Sequence, residues 1–217
     1  FESVMHVIAE AKRLNIKTYW DVDDLIFDEE ILRNSKTLQG LDPTVLKDLI
    51  NGATLYRSTM LACDGGIAST PGLAKAMQEA GVKDVVIIEN ALDHQTMVTA
   101  DEINNSAISS TKSDEYVRIV YGSGTNTHNI DFEEAAPAIA VILAKYPNVK
   151  FRVIGQLDLP DYLSKHISQV EFFPTCTYEE YLVLLSECDI SIAPLENYIF
   201  NDSKSNIKYI EASSLHI

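Results

Sequence analysis

Nothing constrains the fold of this chain more than a regular alternation of two apolar patterns. Short β-rich runs recur from end to end: IKTYWDV at 16–22, DGGIAST at 64–70, DVVIIEN at 84–90, VRIVYGS at 117–123, VKFRVIG at 149–155, QVEFFP at 169–174 and DISIAPL at 189–195. Between them lie stretches whose apolar residues return at helical spacing, such as ESVMHVIAEAKRL at 2–14, PGLAKAMQEAG at 71–81, DFEEAAPAIAVILAKY at 131–146 and YEEYLVLLSEC at 178–188. Local signals mark several helix ends. Asp42 stands as an N-cap before Pro43, Pro71 opens the next helix, and Gly81 closes it.

Strands that alternate with helices build parallel sheets, because each parallel pair needs a crossover and a helix supplies it. Residues 93–116, DHQTMVTADEINNSAISSTKSDEY, are polar and lack periodicity, so they read as a linker between two such units. The expected organisation is therefore α/β with two Rossmann-like parallel-sheet units, 1–92 and 117–217, joined by 93–116. The first half supplies only about three strands against the usual five or six, and the last helix runs to Ile217 without a stop signal. Each unit is expected to be incomplete.

The 46% hydrophobic content of the 217 residues is enough for a true core, yet no apolar run approaches the length of a membrane span. A formal charge of −15 opposes long-range attraction to nucleic acid or anionic lipid. The three cysteines, Cys63, Cys176 and Cys188, are far apart and odd in number, which fits free thiols in a reducing cytoplasm better than a disulfide framework. No His/Cys cluster has metal-ligand spacing, and no metal or cofactor is expected.

Chemistry concentrates in two places. YWDVDDLIFDEE at 19–30 sets Asp21, Asp23, Asp24 and Asp28 behind an apolar run, so that a strand ending there would present carboxylates at the carboxyl edge of a sheet, where open α/β folds bind ligands. In the second half a polar loop follows Leu195 and a helix is expected to begin near 203–205. Its unpaired amides, with Lys204 and Lys208 one turn apart, would form a cradle for a diphosphate in an otherwise acidic chain. The same residues also suit a solvated helix face.

The succession DISIAPLENYIFNDSKSNIKYIEASSLHI, preceded by VRIVYGSGTNTHNIDF and VKFRVIG, resembles the C-terminal nucleotide-sugar-binding domain of retaining GT-B glycosyltransferases, in particular the bacterial surface-polysaccharide branch of family four. Pro194-Leu195, Phe200-Asn201, Lys204-Ser205 and Lys208-x-x-Glu211 follow one another as they do in that branch. DVDDLIF, CDGGIASTPGLAKAM and VVIIENALD look like the later part of its N-terminal domain. The resemblance implies that Lys204, Ser205 and Lys208 hold the donor's diphosphate. It implies too that Glu211, matching the second Glu of an E-x7-E motif, accepts hydrogen bonds from ribose hydroxyls. The first Glu would fall at Ser203, and the usual Arg/Lys pair after the first strand is replaced by GSGTNTH, both departures from the pattern. In that stretch Gly122 and Gly124 would let backbone amides approach the donor or simply form a turn, and His128 would contact phosphate or sugar or cap a loop. Asn90 reads better as a cap or turn residue than as a cleft residue.

What the resemblance implies is a cytoplasmic glycosyltransferase that moves a sugar, with retention, from a nucleotide diphosphate sugar to a glycan or lipid-linked acceptor. Asp21, or alternatively Asp23 or Asp24, would orient the acceptor hydroxyl, and these aspartates would otherwise serve as caps or ion-pair partners. Three rivals remain in view. A non-catalytic binding module of the same shape would accommodate the missing first Glu. DVDDLIF superficially matches the nucleophile motif of haloacid-dehalogenase-like phosphatases, but Leu25 stands where a small or β-branched residue belongs and no distal acidic pair completes a Mg²⁺ site. It matches also the metal-binding DxD of GT-A enzymes, which has little to do where a helix terminus and lysines already face the diphosphate. Oligomeric state is left open by the sequence.

Overall fold

A computed structural model of the protein describes residues 1–106, 115–124 and 129–217. In chain order it places α1 (Glu2–Arg13), β1 (Tyr19–Val22), α2 (Glu29–Asn34), α3 (Lys36–Gln39), α4 (Pro43–Ala62), β2 (Gly65–Ala68), α5 (Pro71–Ala80) and β3 (Val85–Ile87). There follow α6 (His94–Asn105), β4 (Val117–Ser123), α7 (Asn129–Glu133), α8 (Ala136–Lys145) and β5 (Val149–Gly155). A 3-10 segment (Asp161–Gln169), β6 (Val170–Phe173), α9 (Tyr178–Ser186), β7 (Ile190–Ile192), α10 (Ile199–Asp202) and α11 (Ile207–Ser214) complete it. The chain divides into two compact units, Phe1–Asn90 with Asn197–Ser205, and Ala91–Glu196 with Asn206–Ile217.

The first unit is a three-stranded parallel sheet in the order β1-β2-β3. Leu25, Phe27, Met60, Ala68, Leu73 and Met77 form its core, with Trp20 edge-on to Phe27 at 5.6 Å between ring centres. Side-chain caps set its helix starts: Asp28 for α2, Asp42 for α4 with Pro43 at the first turn, and Thr70 for α5 with Pro71 behind it. Gly81, at φ 116°, ends α5 in the left-handed conformation that a glycine adopts without strain.

The second unit is a four-stranded parallel sheet in the order β6-β5-β4-β7. Its inner strands are buried on both faces, and the period of two is visible in the core. Ile119, Tyr121, Phe151 and Val153 point to one side, where they meet Phe132 of α7, Ile139 and Leu143 of α8 and Leu163 of the 3-10 segment. Val120 and Ile154 point to the other, against Ala100 and Ile103 of α6, Leu182 and Leu185 of α9, and Leu215. Arg152 is buried on that face too. It donates to Glu171 at 2.9 Å, to Glu187 at 2.7 Å and to the Leu184 carbonyl at 2.8 Å, so the desolvated guanidinium is matched by carboxylates and a backbone acceptor. The α/β class with two Rossmann-like parallel sheets, expected from the alternation, is what the structure contains.

Several expectations are corrected. Residues 93–116 are not simply a linker: His94–Asn105 is helical, capped by the Asp93 side chain on the Thr96 amide at 2.7 Å, and it buries Ala100 and Ile103 in the second unit. Its inward face is made of small or polar residues, which conceals the period. Residues 197–205, read as part of the second unit, group with the first. The stretch 131–146 is two helices, broken where Pro137 opens α8. β1 ends at Val22, so Asp21 lies inside the ladder opposite Ile67 and only Asp23 and Asp24 follow the strand.

Candidate functional site

In the second unit the strand order reverses between β4 and β7: the sheet grows from β4 through β5 and β6 on one side and to β7 on the other. Ligands of open α/β sheets bind outside the carboxyl ends of the strands at such a reversal. A cavity of about 370 Å³ lies at the carboxyl ends of β4 and β5. Its walls come from the end of β4 (Gly122, Ser123, Gly124), the end of β5 (Ile154, Gly155), the turn after β6 into α9 and the first turns of α11.

Two glycines shape its floor. Gly155 has φ 104°, and any side chain there would overlap the Ser123 carbonyl oxygen, so only glycine lets the ends of β4 and β5 approach this closely. A side chain on Gly122 would crowd the Tyr181 ring at 3.1 Å, whereas one on Gly124 would meet no atom of the described residues.

The polar groups of the cavity stand on α9 and α11. Lys208 donates from Nζ to the Gly122 carbonyl at 2.6 Å and lies 5.1 Å from the centre of the Tyr121 ring. Glu211, one turn further on, is 9% exposed and accepts from the Tyr178 hydroxyl at 2.9 Å. Burial raises its carboxyl above the ordinary glutamate range, against the opposing pull of the Tyr178 bond and the Lys208 charge. Burial and the neighbouring carboxylate push the Tyr178 phenol up to about 12, and the Tyr181 phenol is raised for the same reasons. The two helices differ at their starts. α9 is closed by a reciprocal cap in which Thr177 and Glu180 satisfy each other's amides, whereas α11 opens without a side-chain cap, and its first residues, Ile207 and Lys208, line the cavity. Of the two, α11 is the end suited to an anion.

The structure thus brings together Gly122, Gly124, Lys208 and Glu211. Lys204 and Ser205 group with the first unit. The helix expected to begin at 203–205 begins instead at Ile207, so Lys204 precedes it and is not one turn from Lys208 on a shared helix. Lys204 belongs to the first unit, where its ammonium pairs with Asp24 at 3.4 Å and lies 4.9 Å from the centre of the Phe200 ring. Ser205 accepts from Asn90 at 2.9 Å, and the Ser203 carbonyl accepts from Thr70 at 2.8 Å. These contacts fix 203–205 in a non-helical path. His128 lies outside the described residues.

The aspartates of DVDDLIF have separate surroundings. Asp21 is an exposed residue of β1, Asp24 is the partner of Lys204, and Asp28 caps α2 through the Glu30 and Ile31 amides. Among the described residues no three His, Cys, Asp or Glu side chains are grouped to hold a metal ion. Reading the sequence missed Gly155, Tyr178 and Tyr181. A signal for the tyrosines is present in TYEEYLVLL, where a Thr-x-x-Glu cap places the two rings three residues apart on one helix face.

No family model matches the sequence, and no curated protein matches it. Solved structures do. An α,α-trehalose 6-phosphate synthase from Burkholderia multivorans aligns with a TM-score of 0.59 at 9% identity, over 97% of this chain and 51% of the other. WaaG, a glycosyltransferase involved in lipopolysaccharide biosynthesis, aligns at 0.60 and 12% identity over 97% and 60%. HepE from Anabaena, solved in complex with UDP, aligns at 0.54 and 12% identity over 88% and 50%. The chain spans between half and three-fifths of the length of these structures. At such identities the likeness is one of fold, and the fold is that of the GT-B glycosyltransferases.

Proposed function

We propose that the second unit binds the nucleoside diphosphate of a sugar donor, and that the protein transfers the sugar, with retention, to a hydroxyl of a glycan or lipid-linked acceptor. The observation that carries this reading is the buried Glu211 carboxylate in the wall of a cavity at the carboxyl ends of β4 and β5, one helical turn beyond Lys208. A buried carboxylate is suited to accept hydrogen bonds from a neutral polyol such as ribose. An ammonium beside uncapped helix amides is suited to the charge that develops on a departing diphosphate. The UDP in the HepE structure is consistent with the same ligand class.

In this reading Gly122 and Gly124 keep the end of β4 open to the donor, and Lys208 with the first amides of α11 faces the phosphates. Asp21, exposed on β1 of the first unit, is proposed to orient the acceptor hydroxyl, and Asp24 shares its charge with Lys204. Titrating UDP, ADP and GDP into the protein by calorimetry tests the donor half. At least one is expected to bind and to raise the melting temperature, a ligand at about 100 times its Kd adding about 2.7 kcal/mol. Lys208→Ala should weaken the diphosphate more than the parent nucleoside, whereas Glu211→Gln should weaken both. If none of the three nucleotides binds, the reading is wrong.

Binding without transfer is the second reading. It is favoured by Ser203, which stands where the family pattern has its first Glu and is 3% exposed, its carbonyl held by Thr70. Release of sugar from a bound donor separates the two: a module binds and releases none.

A further inference from the structure

The Glu211 carboxylate already has a partner that resembles the ligand proposed for it. A phenol O–H and a ribose O–H are the same kind of donor, and the Tyr178 hydroxyl sits 2.9 Å from Oε1. Resting on the reading of this cavity as a nucleotide site, we propose that Tyr178 is a built-in competitor for the ribose hydroxyls. Its hydroxyl satisfies Glu211 when no nucleotide is bound and yields the carboxylate when one enters, so that it sets how tightly the ribose is held.

Three features support this assignment. A carboxylate buried to this degree needs hydrogen-bond donors, and Tyr178 supplies one beside Tyr181. Of the two tyrosines that bear on Glu211, Tyr181 is locked: its ring fills the space over Gly122 and packs with Leu182 and Leu185 in the core. Tyr178 stands at the first position of α9 and is 42% exposed, stacked on Tyr181 at 6.1 Å between ring centres, so it can turn outward without opening the core. The phenol also stays protonated throughout the neutral range, and therefore remains a donor rather than a second negative charge.

Tyr178→Phe tests the proposal, since it keeps the ring and its stacking and removes only the competing hydroxyl. Kd is measured by calorimetry for whichever of UDP, ADP and GDP binds most tightly, and for the 2′,3′-dideoxy form of that nucleotide. The expected result is a tightening of the ribonucleotide by about tenfold, in line with the loss of one competing hydrogen bond to a charged group. The dideoxy form, which has no hydroxyl to exchange, should not change. In a Glu211→Gln background the same substitution should have no such effect. A merely structural Tyr178 would move both nucleotides together. Unchanged or weaker ribonucleotide binding by Tyr178→Phe, or an equal shift of both forms, overturns the proposal while leaving the nucleotide site standing. Failure of the unsubstituted protein to bind any of the three overturns both.

Discussion

At the scale of single residues, Glu211 is placed at a cost to stability. Its folded-state carboxyl is raised by burial, so folding favours the protonated form. The favourable contribution is complete below the unfolded-state value and is lost as pH rises through the folded-state value. Above that value the folded protein keeps a charge where burial opposes it. Glu211→Gln is expected to raise the melting temperature at pH 7 while weakening nucleotide binding, an opposition that a scan with and without ligand reads directly. The raised carboxyl has a second consequence: nucleotide affinity should fall on acidification earlier than for an ordinary glutamate, and the falling limb should vanish in Glu211→Gln. Gly155 makes the opposite kind of prediction. With φ at 104° and the Ser123 carbonyl occupying the space of any side chain, Gly155→Ala should cost about 3 kcal/mol or more, measured as a lower denaturation midpoint.

At the scale of elements, helix starts carry the clearest energies. Asp93→Ala removes the cap of α6 and should cost about 1 kcal/mol. The 197–205 segment is tested at Gly72, where a new Cβ would meet the Asp202 carbonyl oxygen at 2.7 Å. Gly72→Val should displace α10 and break the Thr70–Ser203 bond, seen as faster proteolysis within 197–205. These elements also mark how far the sequence can be read. Asp42-Pro43, Thr70-Pro71, Gly81 and the Thr177–Glu180 box are local signals, and the helices that they bound are legible from residues alone. α6 was hidden because its buried face is Thr96, Ala100 and Ile103, too small and polar to register as a stripe. The start of α11 was misplaced for another reason. Ser203, Ser205 and Asn206 are all plausible caps, and the choice among them is made by Thr70 and Asn90, which are 133 and 115 residues away along the chain. Of the residues expected to meet the donor, Lys208 and Glu211 stand one turn apart on α11 as their spacing suggests, whereas Lys204 pairs with Asp24, 180 residues distant.

At the scale of the whole molecule, two parallel sheets each present a carboxyl edge, and their chemistry differs. The first unit's edge carries Asp23, Asp24 and the Asn90–Ser205 and Thr70–Ser203 bonds. That of the second carries the cavity with Lys208 and Glu211. With a formal charge of −15, the protein can attract an anion only through such a local arrangement, which makes the position of binding a sharp test. Among the described residues no helix is long and apolar enough to cross a membrane. Amide hydrogen exchange with and without a saturating nucleoside diphosphate reads that position over both units at once. The account predicts protection concentrated in peptides covering 122–124, 154–155, 175–181 and 207–211. Protection confined to 23–24, 70, 90 and 199–205, or none at all at a concentration that saturates binding, would contradict it.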